Sequence, residues 1–394
     1  MEHPRIVDIH DNCTGCGACK ESCKKGCITM VEDNYGFYTP QIDLAECIMC
    51  GACSNSCHVL SDSGISSKPV WWNKSSLWAY QSNDKKLVEN STSGGAFSLF
   101  AAKVLEEGGI VFASRYNGET ERLEFADTDH FELEEFRKSR YMESYTNDVF
   151  SSIKTCLRND RIVLFCGTPC QVAGLNRFLG KTNKEKLVTI NFICHGVPSN
   201  KFFHQWLRFK FPHIGRIKNV DFRYKNAQEG WGWHDMCLSI KEETNRLTNI
   251  PYTQSSYYLS FCNNDLLRKC CYNCKIINGL DADVTLGDFW GVKNHQLIKD
   301  DNKGLSLVIV HTPKAEAFLD RVKTSGLLVP LEYSDVDYAF HPREYSIQNR
   351  VLSEQAVQKY GFVKFVEQKY KWLILKYKAE KLFNLQKLIK WVKR

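Results

Sequence analysis

Eight cysteines near the start of the chain repeat one spacing. Cys13, Cys16, Cys19 and Cys23 form the first copy and Cys47, Cys50, Cys53 and Cys57 the second, each C-x2-C-x2-C-x3-C. That spacing is the ligand pattern of a 4Fe-4S cube, and two copies imply two clusters. Three cysteines on a tight loop reach three iron corners. The fourth lies too far along its helix to bend back, so it ligates the other cube. The expected sets are Cys13, Cys16, Cys19 with Cys57, and Cys47, Cys50, Cys53 with Cys23. Both copies place Gly-Ala before the third cysteine and Ser before the fourth, which marks an internal repeat and a pseudo-twofold module. Lys24 and His58 stand where the bacterial pattern has proline. Zinc ribbons, the alternative, use two C-x2-C pairs rather than triplets plus one. A ninth cysteine nearby, Cys27, reads as buried packing. The chemistry implied is one-electron transfer.

With 394 residues the chain holds two or three domains. No apolar run approaches the roughly 20 residues a membrane span needs. The opening MEHPRIVDIHDN has no apolar stretch of a secretory signal. Eighteen cysteines without such a signal point to a reducing cytoplasm and to metal ligation. The net charge of +7 is local: residues 369–394 carry nine Lys or Arg against one acid, Glu380, and the rest sums to −1. That distribution excludes a general nucleic-acid surface. It leaves a basic helical tail, read either as a solvated helix or as a peripheral contact with the inner membrane face.

The pattern divides into a two-cluster module over 1–60, a Ser-rich linker over 61–85 that lays Trp71, Trp72 and Trp78 across the next domain, an α/β domain over 86–345, and a helical tail over 346–394. The fold class expected is α+β joined to α/β. In the module, CITMVEDNYGFYTPQI predicts two short strands around the turn Asp33–Gly36. In the third segment apolar strands such as RIVLFC and LVTINFIC alternate with helices, which predicts a largely parallel sheet. Helices are expected over AFSLFAAKVLEEGG, FELEEFRKS, NDVFSSIKTCLRND, CQVAGLNRFLG and, capped by Ser199, NKFFHQWLRFKF. In the tail, Leu373, Ile374, Tyr377, Leu382, Leu385, Leu388, Ile389 and Val392 suggest an apolar stripe.

Ligands in open α/β sheets bind beyond the carboxyl ends of strands. Ser91–Gly95, just before a helix, suits the pyrophosphate of a nucleotide cofactor or is a plain helix cap. Two further turns, CGTPCQ and CHGVPS, each follow a strand and carry cysteines. With the C-x2-C pair of CCYNC they supply a candidate third 4Fe-4S set: Cys170, Cys194, Cys271 and Cys274. Cys166 and Cys270 stand in reserve, and Cys156, Cys237 and Cys262 are read as core. Asp288 and His195 are candidate proton relays. The alternatives are a turn cap for Asp288 and a hydrogen bond within its own turn for His195.

In order, STSGGAFS, FCGTPCQVAGL, ICHGVPS, CYNCK and ADVTLGDFWGV resemble the beta subunit of coenzyme F420 hydrogenase/dehydrogenase, in particular its C-terminal domain family. RKSRYMESY looks like the segment that precedes the GTPCQ turn in that family. The resemblance spans about residues 75–345, and the first 60 residues resemble a two-cluster ferredoxin. It implies a bound FAD, at least one further iron–sulfur cluster, and oxidoreductase activity between a soluble carrier and a partner. Carried over by motif, Ser93, Gly94 and Gly95 would touch the flavin phosphates. Arg140, Tyr141 and Ser144 would line the cleft, Gly167, Thr168 and Gln171 would flank the isoalloxazine or its ribityl chain, and Cys170, Cys194, Cys271 and Cys274 would hold the third cluster. Candidate carriers are a ferredoxin, a deazaflavin or a nicotinamide. The competing reading is an electron-relay subunit that docks on a redox partner and performs no chemistry of its own.

Overall fold

The cysteine repeat folds the same way twice. The computed structural model describes residues 4–60, 75–225, 230–232, 235–274, 276, 282–294, 298, 301–336 and 345–392. In it each copy is a tight loop leading into one short helix, α1 (Ala18–Ser22) and α2 (Ala52–Ser56). Gly17 and Gly51 open these helices in the left-handed region, at φ 76° and 73°, where a Cβ would be strained. Gly15 and its counterpart Met49 are left-handed too, at 70° and 55°. The second copy therefore keeps the turn with a side chain where the first has glycine. Between the helices, β1 (Ile28–Glu32) and β2 (Tyr38–Ile42) pair antiparallel, as the alternating run predicts. Asp33 closes their turn, accepting from the amides of Tyr35 and Phe37 at 2.8 and 2.9 Å. The core of the module is Ile6, Ile9 and Ile28 packed with Cys13, Cys19, Cys27, Cys53 and Cys57.

The rest of the chain is β3 (Ser76–Ser82), α3 (Lys85–Glu89), α4 (Ala96–Glu106), β4 (Ile110–Asn117), β5 (Arg122–Asp127), β6 (Ser144–Tyr145), α5 (Val149–Arg158), β7 (Val163–Cys166), α6 (Pro169–Leu179), β8 (Leu187–Phe192) and α7 (Asn200–Lys210). There follow β9 (Ile217–Tyr224), β10 (Cys237–Glu242), β11 (Leu247–Pro251), α8 (Ser256–Cys262), β12 (Val284–Asp288), β13 (Ser306–Val310), α9 (Pro313–Asp320), β14 (Gly326–Pro330), α10 (Ile347–Tyr360) and α11 (Phe362–Val392). Nine strands form one mixed sheet in the order β14-β3-β13-β12-β8-β7-β4-β5-β6. β12, β8, β7 and β4 run parallel. They read as continuous apolar runs because α4 and α9 cover one face and α5 and α6 the other. On either side of this centre the pairing is antiparallel, save β5 with β6. The sheet is thus parallel in its middle rather than throughout. A second sheet, β11-β10-β9, packs with α7, α8 and the start of α11 around Phe203, Trp206, Phe222 and Tyr257.

Two expectations need correction, and a third lies outside the described residues. Residues 61–74, with Trp71 and Trp72, lie outside the described residues. Residues 76–82, expected in the linker, instead form β3 between β13 and β14. Its alternation is clear: Leu77 and Ala79 bury on one face, Tyr80 on the other. FELEEFRKS forms only a 3-10 turn over Leu133–Phe136. Lys138 is left-handed at φ 76°, and the Arg140 guanidinium donates to the carbonyls of Glu135 and Arg137, both at 2.8 Å, so the segment wraps around one side chain. The tail is helical as expected, broken at Gly361. Its docked face is Phe362, Val366, Tyr370 and Ile374, spaced by four and buried on the second-sheet core. The expected stripe runs on to Leu382, which is exposed. Among the described residues no helix is long and apolar enough to cross a membrane.

Candidate metal centres and cofactor site

The thiols fall into three groups. Cys13, Cys16, Cys19 and Cys57 line a cavity of about 290 Å³, part of it open solvent, closed by Ile6, Ile9, Met30 and Val59. Burial raises all four thiols, Cys16 to about 12. Four buried thiols that resist ionisation need a positive centre among them to become thiolates, which an iron cluster supplies. The second group sits at the surface. Cys47 reaches Cys53 and Cys27 electrostatically, and the sulfurs of Cys27 and Cys23 are 3.4 Å apart. Cys50 is exposed, and beside it Ile48 is 62% and Met49 46% exposed. Cys57 and Cys23 have thus each crossed to the other repeat's group. Cys27 is buried, as expected for packing, yet it also touches a candidate ligand.

The third group lies at the carboxyl ends of the parallel strands. Cys170 opens α6 after β7, Cys194 follows β8, Cys271 lies within the 3-10 turn Lys269–Asn273, and Cys274 caps it. Cys170 interacts with Cys271 and Cys274, and Cys194 with Cys271, Cys170 and Cys274. The Thr168 hydroxyl is 3.0 Å from Cys170 Sγ, and the Gly196 amide donates to Cys194 Sγ at 3.4 Å. Of the reserves, Cys270 sits against Cys271, whereas Cys166 is raised to about 12 by burial alone. Cys237 is buried on β10, and Cys156 and Cys262 are partly buried. Among the described residues no three His, Cys, Asp or Glu converge on a single-ion site.

Cys16 joins the first group to the third. Its sulfur lies against Gly174 of α6, where a Cβ would come within 2.8 Å of it, and it interacts with Cys170 at the start of the same helix. Glu21 and Lys20 of α1 complete the docking. Glu21 accepts the amides of Phe150 and Ser151 at the start of α5, at 3.3 and 2.7 Å, and Lys20 pairs with Asp148 at 2.7 Å.

Residues 12–60 match the model of a 4Fe-4S dicluster domain, and residues 160–335 match that for the C terminus of the coenzyme F420 hydrogenase/dehydrogenase beta subunit. The chain joins these two domains. Both matches support iron–sulfur clusters and a role of oxidoreductase type. Among solved structures it is similar to a chain of the xenon-derivatised F420-reducing NiFe hydrogenase complex from Methanosarcina barkeri. Identity is 14% over 77% of this chain and 93% of that chain, with a TM-score of 0.46. No curated protein matches the chain.

The residues that the resemblance nominates for a flavin separate into two places. Ser144, Gly167, Thr168 and Gln171 lie at the Cys170 turn. Thr168 and Gln171 form a capping box, and Gln171 Nε2 donates to Ser144 Oγ at 3.1 Å. Ser93, Gly94, Gly95, Arg140 and Tyr141, which precede the matched segment of the F420 hydrogenase/dehydrogenase-type domain, gather instead beside β9 and β12. Ser93 Oγ donates to the Leu305 carbonyl at 2.5 Å, and the Gly94 amide to Ser306 Oγ at 2.9 Å. A Cβ on Gly94 would overlap the Tyr80 carbonyl, and Gly95 is left-handed at φ 92°. The glycines are needed here for the loop's approach to β3.

Around that loop stand charged residues that the motifs do not mark. Lys225 Nζ donates to the carbonyls of Ser93, Val88 and Lys303 at 2.8, 2.9 and 2.7 Å. Burial and the neighbouring Arg223 bring it down to about 7. Arg223 pairs with Asp288 and lies 5.5 Å from the ring of Trp290, which stacks on Trp231 at 4.4 Å. Lys138 pairs with Asp221. Arg140 is brought down to about 10 by burial. Arg140 Nε and Arg223 Nη2 are buried donors with no hydrogen-bond partner among the described residues, and buried donors are seldom left so. Asp288 is an ion-pair partner of Arg223. His195 Nε2 donates to the Phe261 carbonyl at 3.1 Å, outside its own turn, and the Phe261 ring stacks on Tyr141 at 4.7 Å. That stack leads from Cys194 towards Arg223. The signal in the sequence is DFRYK, a strand whose inward positions carry charge.

Proposed function

We propose that the chain is an iron–sulfur flavoprotein oxidoreductase with three 4Fe-4S clusters and one FAD. The observation that carries this reading is Cys16 pressed against the helix that Cys170 opens. It puts the first thiol group beside the third, so one-electron steps have a continuous route from the exposed second group inward. A flavin supplies the change from single electrons to pairs. Its fit rests on the orphaned donors of Arg140 and Arg223 and on buried Lys225, which suit an anionic cofactor. Tyr141, Trp231 and Trp290 add apolar faces to the cleft, with Ser93, Gly94 and Gly95 at its rim. Ser144, Gly167, Thr168 and Gln171 hold the Cys170 turn at its inner end. Asp288 holds Arg223 in place. His195, next to Cys194, and Lys225 Nζ, brought down to about 7, are the groups placed to hold or move a proton. The soluble partner is a ferredoxin, a deazaflavin or a nicotinamide.

Anaerobic purification followed by iron, acid-labile sulfide and flavin assay tests this. About twelve iron atoms and one releasable FAD per chain are expected. About eight iron atoms would remove the third cluster, and absence of flavin would remove the oxidoreductase mechanism. The second reading, a relay subunit of a larger redox complex, is favoured by exposed Ile48, Met49 and Cys50, an apolar rim on a cluster loop. Turnover by the isolated chain with an artificial donor excludes it.

The basic tail is proposed as a membrane-surface contact only beyond its docked part. Lys369 and Tyr370 are committed to Asp265, at 2.5 Å each. Trp372, Leu375, Leu382 and Phe383 remain exposed beside lysines. Anionic vesicles should pellet the full chain and not one ending at residue 377; equal pelleting removes the contact.

A further inference from the structure

One buried ion pair lies between the first and third thiol groups. Arg268 precedes Cys270 and Cys271 in the chain. Its Nη1 donates to the Cys13 carbonyl at 2.9 Å, and its Nη2 donates to the Tyr38 carbonyl at 2.7 Å and pairs with Glu143. Glu143 also accepts the Tyr38 amide at 3.2 Å. Both side chains are buried. The Cys13 loop passes so close that a Cβ on Gly15 would stand 2.6 Å from Arg268 Nη2 and 2.7 Å from Glu143 Oε1. The charge of Arg268 is felt by Cys13 on one side and by Cys170, Cys270 and Cys271 on the other. One side chain therefore bonds to the N-terminal module and to Glu143, and its charge reaches the third thiol group.

We propose that Arg268 is a positioning residue shared by the first and third clusters, fixing their separation and holding both reduction potentials up. This rests on the three-cluster reading above. In the step it serves, the first centre is oxidised by one electron and the third is reduced by one. A one-electron reductant outside the chain refills the first centre through the second. Arg268 stays protonated throughout and no proton moves. Its charge lowers the cost of the added electron at either end, and burial keeps water from screening it. Glu143 opposes that charge, so the two members of the pair act on the potentials with opposite sign.

Redox titration followed by electron paramagnetic resonance, on protein with assayed iron, decides it. In Arg268→Gln both potentials fall: at a fixed applied potential the reduced-to-oxidised ratio of each drops about tenfold, which is about 59 mV for a one-electron couple. Arg268→Lys keeps most of the wild-type value. Glu143→Gln moves both potentials up. The second cluster, whose thiols the pair does not reach, stays in place in all three variants. A loosened fold would instead lose iron or move every signal in one direction. Unmoved first and third potentials in Arg268→Gln at full iron overturn the proposal, as does a downward shift in Glu143→Gln. Should Arg268→Gln fail to hold its iron, Arg268→Lys and Glu143→Gln settle the sign. A wild-type count of about eight iron atoms removes the third cluster and this link together. About twelve with unmoved potentials removes only the role of Arg268.

Discussion

Stripping iron from the protein should unfold residues 4–60 while the large sheet keeps its fold. The module is small, and chains of about 60 residues are marginal without a staple. Its core contains only three isoleucines beside five cysteines. Burial raises four of those thiols (Cys13, Cys19, Cys53 and Cys57), so without metal they remain neutral and loosely packed. With metal, the ligand bonds are folding energy. The large sheet has no such dependence: Val111, Leu164, Val188, Ile190 and Val308 bury against α4 and α9 with no thiolate among them. Amide exchange read by mass spectrometry is the measurement. Protection over residues 13–57 should fall about a thousandfold, ~4 kcal/mol at ~1.4 kcal/mol per decade. Protection over β7, β8 and β12 should hold. Equal protection in the two forms would show that Glu21, Lys20 and Arg268 suffice to hold the module, and that the clusters are passengers.

The sequence makes legible what depends on spacing. The cysteine repeat makes two loops and two short helices legible, because the same spacing turns the chain the same way twice. Helix ends follow for the same local reason: Ser199 accepts the Phe202 amide at 3.2 Å, and Gly180 ends α6 at φ 53°. What spacing misses is side chains used against type. Ser76–Ser82 looks like linker because its ends are serines, yet Leu77 and Ala79 bury in the sheet. β9 and β10 carry Arg223, Asp221 and Glu242 inward, so no apolar alternation announces them. At Gly94 the backbone passes close to the strand carbonyl of Tyr80, which no local pattern announces. Arg268 and Glu143 are 125 residues apart, and nothing local pairs them.

Asp288→Ala should destabilise the main domain by about 3–5 kcal/mol, because it strands a buried guanidinium. Arg223 is 4% and Asp288 16% exposed. Among the described residues Nη2 of Arg223 has no hydrogen-bond partner, and its Nε donates to Met236 Sδ at 3.2 Å. Removing the carboxylate leaves the charge to the Tyr141 and Tyr252 hydroxyls and the Trp290 ring among the described residues. Asp288→Asn keeps an oxygen and should cost less. The double variant Arg223→Met with Asp288→Leu should recover most of the loss, since a buried pair replaced by apolar groups of like volume is near neutral. Urea unfolding gives the stabilities, and equal stability of Asp288→Ala and wild type would show the pair to be solvated. Flavin content separates structure from cofactor binding. If Arg223 is a donor to the flavin, the double variant regains stability and stays empty of FAD, whereas a purely structural pair would let the refolded variant bind it.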